Sequence, residues 1–284
     1  MKIIDNKSLI GTRGREFGFD LYLPEGDFAQ DLRPCIVFAH GFKGFKDWGH
    51  WHKIAEAFAK EGFAFLKFNF SHNGVSISNP LDFVDLEAFG NNNFSTELED
   101  AATVMDWLWE NAEKYQIDKT KISIVGHSRG GPIAILTALK ESRIASVITW
   151  AAVHELDYAW QDEEKLKEWK DKGVIYSNNA RTGQEMPLYY QIYEDFIKHQ
   201  EEFSIRSSLS KLTQALLIIH GTNDPAVSVE SAHYLKKYSQ QSELKIIDGA
   251  DHVFGGKHPF SEGEDLPKHS QELVSLTVNF LNSI

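Results

Sequence analysis

Cysteine, long apolar runs and positive charge are all scarce in this 284-residue sequence. Its single cysteine, Cys35, excludes an internal disulfide, and no apolar stretch approaches the roughly 20 residues that a membrane-spanning helix needs. The first residues lack the long apolar segment and small-residue cleavage pattern of a secretory signal peptide. These absences predict a cytoplasmic protein that does not enter a membrane.

Acidic residues outnumber basic ones by 41 to 29, which gives a net charge of −12 at pH 7. A negative surface repels nucleic acid and anionic lipid, so we expect neither of them as a partner. Hydrophobic residues make up 42% of the chain, which is sufficient for a sizeable core. Composition leaves the oligomeric state open.

Strand-like and helix-like segments alternate along the chain. Short apolar runs that are typical of strands buried on both faces occur at 35–39, 63–70, 122–125, 147–152 and 215–219. Segments with helical spacing lie between and after them, at 50–60, 95–114, 228–238 and 270–282. This alternation predicts an α/β fold with a mostly parallel central sheet and helices on both faces.

The alternation stops between residues 153 and 210, a stretch rich in charged and aromatic side chains. Helical segments are predicted near 162–171 and 187–202, and the stretch is too long for a simple connection between a helix and a strand. We interpret it as a mainly helical cap inserted into a single domain, whose core comprises residues 1–152 and 211–284. The alternative is a peripheral elaboration that does not contact substrate.

The run K-I-S-I-V-G-H-S-R-G-G-P at 121–132 carries the candidate nucleophile, Ser128. It contains an apolar strand, the pattern G-x-S-x-G and the start of an apolar helix, which is the context of a nucleophile elbow. Gly126 and Gly130 flank the serine because a side chain there would collide with the neighbouring strand or helix. The pentapeptide alone is a weak signal, and its position between a strand and a helix gives it weight.

A nucleophilic serine needs a base and a carboxylate. His252 lies on a short loop directly after a further predicted strand at 244–247 and is the candidate base. Asp224, just past the strand at 215–219, is the candidate acid that fixes the imidazole tautomer, and the chain order Ser128, Asp224, His252 is typical of hydrolases with this elbow. Asp251 and Asp248 are weaker alternatives, and Asp251 is expected to cap the loop or face solvent.

The oxyanion that forms during attack needs two fixed hydrogen-bond donors. The backbone N–H of Arg129, next to the nucleophile, is one candidate. The other is the backbone N–H of Phe42, in the glycine-containing loop H-G-F-K-G that follows the strand at 35–39. We also expect the aromatic residues after this loop either to pack in the core or to form one wall of an acyl pocket.

Histidines elsewhere do not form a metal-binding pattern. His50 and His52 form an H-x-H pair without a third ligand at a fixed offset, His40 and His72 lie apart from them, and nothing matches H-E-x-x-H. His258 is expected to support the site rather than to act as the base. The sequence predicts neither a metal nor a cofactor.

Four motifs together, H-G-F-K-G, G-H-S-R-G-G, H-G-T-N-D-P and D-H-V-F-G, resemble those of the α/β-hydrolase superfamily and occur in its order. Within it the chain is similar to dienelactone-hydrolase and prolyl-oligopeptidase-like esterases, including cinnamoyl and feruloyl esterases. The resemblance implies hydrolysis of carboxylic esters through an acyl-enzyme. Arg129 stands where feruloyl esterases often carry glutamine, and the resemblance does not fix the ester.

The sequence therefore predicts a serine esterase whose partner is a small or medium ester with an apolar or aromatic part. One alternative is a small peptidase of the prolyl-oligopeptidase type, although those proteins usually carry a large additional domain that does not fit into this length. Another is a non-catalytic hydrolase-fold protein that binds a small molecule. Such proteins usually lack a triad member, whereas all three candidates are present here.

Overall fold

A computed structural model describes residues 1–26, 32–157, 160, 162–261 and 263–284. In this part of the chain the strands are β1 (Lys2–Ile10), β2 (Glu16–Leu23), β3 (Arg33–Ala39), β4 (Ala64–Phe68), β5 (Ile117–His127), β6 (Ser146–Trp150), β7 (Val174–Asn178), β8 (Glu185–Tyr189), β9 (Ala215–Gly221) and β10 (Ser242–Ile247). The helices are α1 (Trp51–Lys60), α2 (Leu86–Gly90), α3 (Phe94–Asn111), α4 (Gly130–Lys140), α5 (Glu163–Lys172), α6 (Gln191–Lys198), α7 (Ile205–Lys211), α8 (Glu230–Tyr238) and α9 (Lys268–Leu281).

Eight strands form one sheet in the order β1-β2-β4-β3-β5-β6-β9-β10. The pairs β1–β2 and β2–β4 are antiparallel, and every pair from β4–β3 to β9–β10 is parallel. The predicted α/β fold with a mostly parallel sheet is therefore confirmed, and the architecture is that of the α/β-hydrolase fold.

Helices cover both faces of this sheet and enclose two hydrophobic cores. One core packs apolar residues of α3, α4 and α8 against the sheet, and the other packs α1 and α9 against the opposite side chains of the same strands. Adjacent residues of β3 divide between them, since Val37 belongs to the first core and Phe38 to the second. The central strands are accordingly apolar without a break. Among the described helices, none has the length and apolar character to cross a bilayer.

Parallel strands bring the candidate site residues to one edge of the sheet. β3 ends directly before His40 and β5 directly before Ser128. Asp224 follows shortly after the end of β9, and His252 shortly after the end of β10. The carboxyl ends of parallel strands meet at the same edge, which is where open α/β sheets bind ligands. The fold therefore gathers residues that are more than 200 positions apart at the extremes, from His40 to His252.

A buried group of charges fixes the start of α1 relative to the sheet. The Lys46 ammonium lies 2.7 Å and the Lys67 ammonium 2.6 Å from the same oxygen of Asp20. Asp47 contacts both lysines as well. Burial opposes ionisation of Asp20, but the two lysines outweigh it and hold the pKa of Asp20 below its ordinary value. Because Lys46 follows the H-G-F-K-G loop, this network anchors that loop to β2 and β4.

Two local features differ from the sequence prediction. β1 is an exposed, mostly polar edge strand that composition did not indicate. The long helix begins at Phe94 rather than at 95, and its cap is Asn93, whose side chain accepts a hydrogen bond from the backbone N–H of Thr96. Ser95 instead donates to the carboxylate of Asp195.

The stretch from 153 to 210 contains a two-stranded sheet as well as helices. α5 lies at the predicted position, but the prediction of a helix over 187–202 was wrong at its start, because residues 185–189 form β8, which pairs with β7. α7 extends past residue 210, and its Ile205 and Leu209 belong to the first core. A cap role for this stretch stays a proposal, which is taken up below.

Candidate active site

Ser128 lies on a sharp turn between β5 and α4. Its φ of 54° is left-handed, its N–H donates to the carbonyl of Trp150 at 2.9 Å, and its own carbonyl accepts from Gly131 at 3.0 Å. A Cβ on Gly126 would lie 2.0 Å from the carbonyl oxygen of Gly130. The glycine is therefore required by the close approach of the strand to the first turn of the helix.

We expect Gly126→Ala to lower the free energy of unfolding by about 1–3 kcal/mol, because rigid backbone atoms must move to admit the methyl group. Chemical denaturation of the variant measures this change. Gly263→Ala is the matched control, since a Cβ there has nothing within 4 Å. It should change stability by less than about 0.5 kcal/mol. Equal stabilities of the two variants would contradict the steric argument.

Asp224 and His252 form a direct pair. Nδ1 of His252 lies 2.8 Å from Oδ2 of Asp224, whose side chain is fully buried. The other oxygen, Oδ1, accepts the backbone N–H groups of Ala226 and Val227, each at 2.8 Å. Because a carboxylate only accepts hydrogen bonds, Nδ1 carries the proton and Nε2 of the neutral imidazole is left as a base.

The carboxylate of Asp224 is held in its ionised form. Burial opposes ionisation, but the hydrogen bonds from His220, His252 and the Val227 N–H outweigh it and hold the pKa of Asp224 well below its ordinary value. The two alternative acids, Asp251 and Asp248, lie in the loop after β10 and have other partners. Asp251 accepts the backbone N–H groups of Val253 and Gly255, and Asp248 accepts the hydroxyl of Thr222.

Two buried histidines that sequence reasoning did not single out support this pair. Nε2 of His127 donates to the carbonyl of His252 at 2.8 Å. Burial, with a contribution from His252, lowers the pKa of His127 to about 3, so the ring is neutral. Nε2 of His220 lies 3.2 Å from Asp224 Oδ2 and 2.9 Å from the carbonyl of Val227. His127 occupies an unspecified position of G-x-S-x-G, and His220 is the first residue of H-G-T-N-D-P, a motif in which only Asp224 was assigned a role.

The loop after β3 lies against Ser128. A Cβ on Gly41 would come within 2.8 Å of the Cβ of Ser128, so glycine permits this approach. Nδ1 of His40 donates to the carbonyl of Gly41 at 2.9 Å, while Nε2 accepts the N–H of Phe70 at 3.3 Å. Burial lowers the pKa of His40 to about 4 and keeps it neutral. The segments with the two candidate oxyanion donors, Phe42 and Arg129, thus flank Ser128.

The side chain of Arg129 supports this loop from behind. Its guanidinium pairs with the buried carboxylate of Glu97 at 2.6 Å, and Asn92 donates to the same oxygen at 2.7 Å. The guanidinium carbon lies 4.8 Å from the ring centre of Phe42 and 5.9 Å from that of Phe94. Arg129 is buried and does not line the cavity in front of Ser128. Its side chain therefore fixes the position of Phe42.

A cavity of about 330 Å³ opens in front of Ser128 and His252. Four aromatic side chains line part of it: Phe42, Trp48, Trp51 and Phe83. Phe45, by contrast, is fully buried and packs edge-on against Phe83. The aromatic residues after the loop thus divide into the two roles that the sequence left open.

The turn between β7 and β8 also reaches this cavity. Asn179, Ala180 and Arg181 line it together with Lys43 and His258. Nδ1 of His258 accepts the N–H of Gly49 at 2.8 Å, and burial lowers the pKa of this histidine. The stretch from 153 to 210 therefore contributes to the cavity surface.

The histidines considered for metal binding are dispersed. His50 is buried and hydrogen-bonded to Ser270 at 2.9 Å, and His72 contacts the hydroxyl of Ser71 at 2.8 Å. Within the ranges that the structure describes, no three His, Cys, Asp or Glu side chains gather closely enough to hold a metal ion.

Residues 19–238 match the family described as BD-FAE. The chain belongs to the BD-FAE family. The resemblance to an esterase group of the α/β-hydrolase superfamily, predicted from the four motifs, is thereby confirmed.

Among solved structures, this BD-FAE chain is similar to Est1E from Butyrivibrio proteoclasticus with ferulic acid bound. The TM-score is 0.72 with 20% identity, and 98% of each chain is covered. It is also similar to the esterase domain of a Rhodothermus marinus protein, with a TM-score of 0.65, 17% identity and coverage of 100% of this chain and 99% of that one. At these identities the likeness shows the fold.

Two curated relatives of the BD-FAE chain carry different kinds of name. A Mycoplasma pneumoniae protein named as an esterase/lipase is 23% identical over 240 residues, which cover 78% of this chain and 82% of that protein. The Bacillus subtilis protein YtmA, named as an uncharacterized peptidase, is 27% identical over 154 residues, which cover 54% of this chain and 53% of YtmA.

Proposed function

We propose that this protein is a serine hydrolase that cleaves carboxylic esters through an acyl-enzyme. The observation that carries the proposal is the cavity itself, which Ser128 and His252 line together while Asp224 binds the far side of the imidazole at 2.8 Å. The family and the esterase names of similar proteins support the same class of reaction. The substrate is a small-molecule ester, and the reaction needs no cofactor.

The chemistry follows from the protonation states at the site. Nε2 of His252 takes the proton of the Ser128 hydroxyl as Oγ attacks the ester carbonyl, and the N–H groups of Phe42 and Arg129 receive the negative oxygen. The tetrahedral intermediate collapses, the carbon–oxygen bond of the ester breaks, and His252 returns the proton to the leaving alcohol. Water then repeats the sequence on the acyl-enzyme and releases the acid.

The size and lining of the cavity favour small to medium esters with an apolar or aromatic part. A volume of about 330 Å³ lies at the lower end of the range of small-molecule sites. The ferulic acid complex of Est1E supports an aromatic acyl group. We further propose that residues 153–210 form a cap over the core of residues 1–152 and 211–284, because Asn179 and Arg181 line the cavity. A cytoplasmic location stays a prediction.

Covalent labelling tests the mechanism directly. A fluorophosphonate should attach to one site, and peptide mass spectrometry should place it on Ser128. Folded protein that stays unlabelled, together with inactivity on p-nitrophenyl esters of graded acyl length, would overturn the proposal and favour a non-catalytic binding protein.

The similarity to YtmA keeps a small peptidase as the second candidate. Both reactions use the same triad, so labelling does not separate them. Turnover of matched ester and amide substrates that share one acyl group does. We expect the ester to react faster by more than the intrinsic difference in reactivity, and preferential cleavage of peptide amides would favour the peptidase.

A further inference from the structure

The active-site cavity has a charge opposite to that of the protein. The chain carries a net charge of −12, yet two basic side chains, Lys43 and Arg181, line the cavity. Among the described residues no Asp or Glu side chain lines it. A positive site in a negative protein attracts anions specifically, because the surrounding surface repels them.

Among the described residues, no carboxylate lies close enough to neutralise the charge of Lys43. Its ammonium donates to the carbonyl of Asn178 at 2.9 Å and to the hydroxyl of Ser177 at 3.3 Å, which are neutral acceptors. In the part of the chain that the structure describes, no acidic group lies within 4.0 Å of it. An ammonium has three N–H donors, so one is left for a further acceptor.

Asn179, next to these two acceptors, also has a donor to spare. Its side chain is 8% exposed, and its Oδ1 accepts the backbone N–H of Arg181 at 3.2 Å. Its amide Nδ2 is buried and has no hydrogen-bond partner among the described residues. A buried donor without an acceptor is costly, and a ligand that supplies one removes that cost.

Arg181 completes the cluster at its exposed side. Both terminal nitrogens donate to one oxygen of Asp82, at 3.2 and 3.3 Å. The side chain of Asp82 is 64% exposed, so this pair is well solvated and weak. The Arg181 guanidinium can therefore exchange Asp82 for a better-shielded anion inside the cavity.

We propose that Lys43, Asn179 and Arg181 form a subsite for a carboxylate that the substrate carries in addition to its ester. With the aromatic side chains of Trp48 and Phe83 in the same cavity, the preferred substrate class is a compact aromatic ester bearing a free carboxylate. This subsite rests on the proposed esterase function, and it adds a selectivity that an aromatic pocket alone does not have. The carboxylate can stand on the acyl or on the alcohol part of the ester.

Two substrate pairs test the subsite and distinguish these positions. Monomethyl terephthalate against methyl 4-methylbenzoate places the charge on the acyl part, and 4-acetoxybenzoate against p-tolyl acetate places it on the alcohol part. The measured quantity is the ratio of kcat/KM for the charged ester to kcat/KM for its neutral partner. The ratio in a variant divided by the ratio in wild type cancels the intrinsic reactivity of each ester.

We expect Lys43→Met and Arg181→Met each to lower this ratio roughly tenfold for one of the two pairs, as the loss of a charged hydrogen bond does. Asn179→Asp, which keeps the size of the side chain and its turn acceptor but adds a negative charge, should lower it further. Lys165→Met is the matched control. Like Arg181→Met it removes one cation from the stretch 153–210, but Lys165 does not line this cavity. It should leave the ratio unchanged in both pairs.

The outcomes separate the two proposals. A ratio that stays at the wild-type value in Arg181→Met and Asn179→Asp overturns the subsite, while turnover of the neutral esters by wild type leaves the esterase function standing. If wild type hydrolyses none of the four esters or the p-nitrophenyl esters, the esterase function itself fails and the subsite falls with it. Should Lys43→Met not fold, the other two variants decide.

Discussion

Ser128→Ala should reduce ester hydrolysis by a factor on the order of 10⁶ in kcat, to the level that binding and oxyanion contacts alone provide. The alanine keeps the left-handed backbone and removes only the oxygen that we propose forms the acyl-enzyme. The measurement is kcat for hydrolysis of p-nitrophenyl butyrate, with variant and wild type at equal concentrations of folded protein.

Ser275→Ala serves as the control for this substitution, since Ser275 is exposed on α9 and does not line the cavity in front of Ser128. It should retain wild-type turnover. The melting temperature of Ser128→Ala should be close to that of wild type, because Ser128 belongs to neither of the two hydrophobic cores. A Ser128→Ala protein that hydrolyses esters at the wild-type rate would remove Ser128 from the mechanism.

Asp224→Asn should reduce kcat by a factor on the order of 10⁴. The asparagine oxygen can keep the N–H groups of Ala226 and Val227, so its amide nitrogen then faces the proton on Nδ1 of His252. Two donors repel each other, and His252 escapes by moving its proton to Nε2. In that tautomer the nitrogen nearest the nucleophile no longer accepts a proton.

The same substitution has a stability effect whose sign is fixed by the depressed pKa of Asp224. A carboxyl with a lowered folded pKa stabilises the fold above its unfolded pKa of about 3.9 and loses this contribution as pH falls. Asp224→Asn should therefore be less stable than wild type at pH 7, and the difference should shrink towards pH 3. Asp248→Asn, in the neighbouring loop, is the control and should keep full activity. Full activity in Asp224→Asn would exclude Asp224 as the orienting acid.

The candidate site was predictable because each of its residues follows a strand that sequence could identify. Apolar β-branched runs mark β3, β5 and β9, and parallel strands end at a common edge. Local patterns therefore identified Ser128 and Asp224 as residues of one site although they lie far apart in sequence. The glycine requirement at Gly126 was also foreseeable, because it depends on a turn only five residues long.

The supporting residues were not predictable because their contacts form only once the loops at the sheet edge have folded. His127 contacts the carbonyl of His252, 125 residues further along the chain. His220 lies near Asp224 in sequence, but only the folded loop shows that it contacts this carboxylate. β7 and β8 are short and half-exposed, so their sequences give a weak strand signal. The aromatic residues that follow have helical spacing, and the predicted helix therefore began too early, within β8. Lys43 meets the hairpin about 135 residues further along the chain, which no local pattern encodes.

The neutral histidines packed around the site make acid a denaturant for this fold. Burial lowers the pKa of His40 and His50 to about 4 and that of His127 to about 3. In the unfolded chain the pKa of each histidine returns to about 6.5, so the unfolded chain binds protons that the folded protein does not bind. As pH falls from about 6.5 towards 4, proton uptake by the unfolded state therefore lowers the free energy of unfolding. The groups that hold the loops in place at neutral pH are the same ones that release them in an acidic compartment.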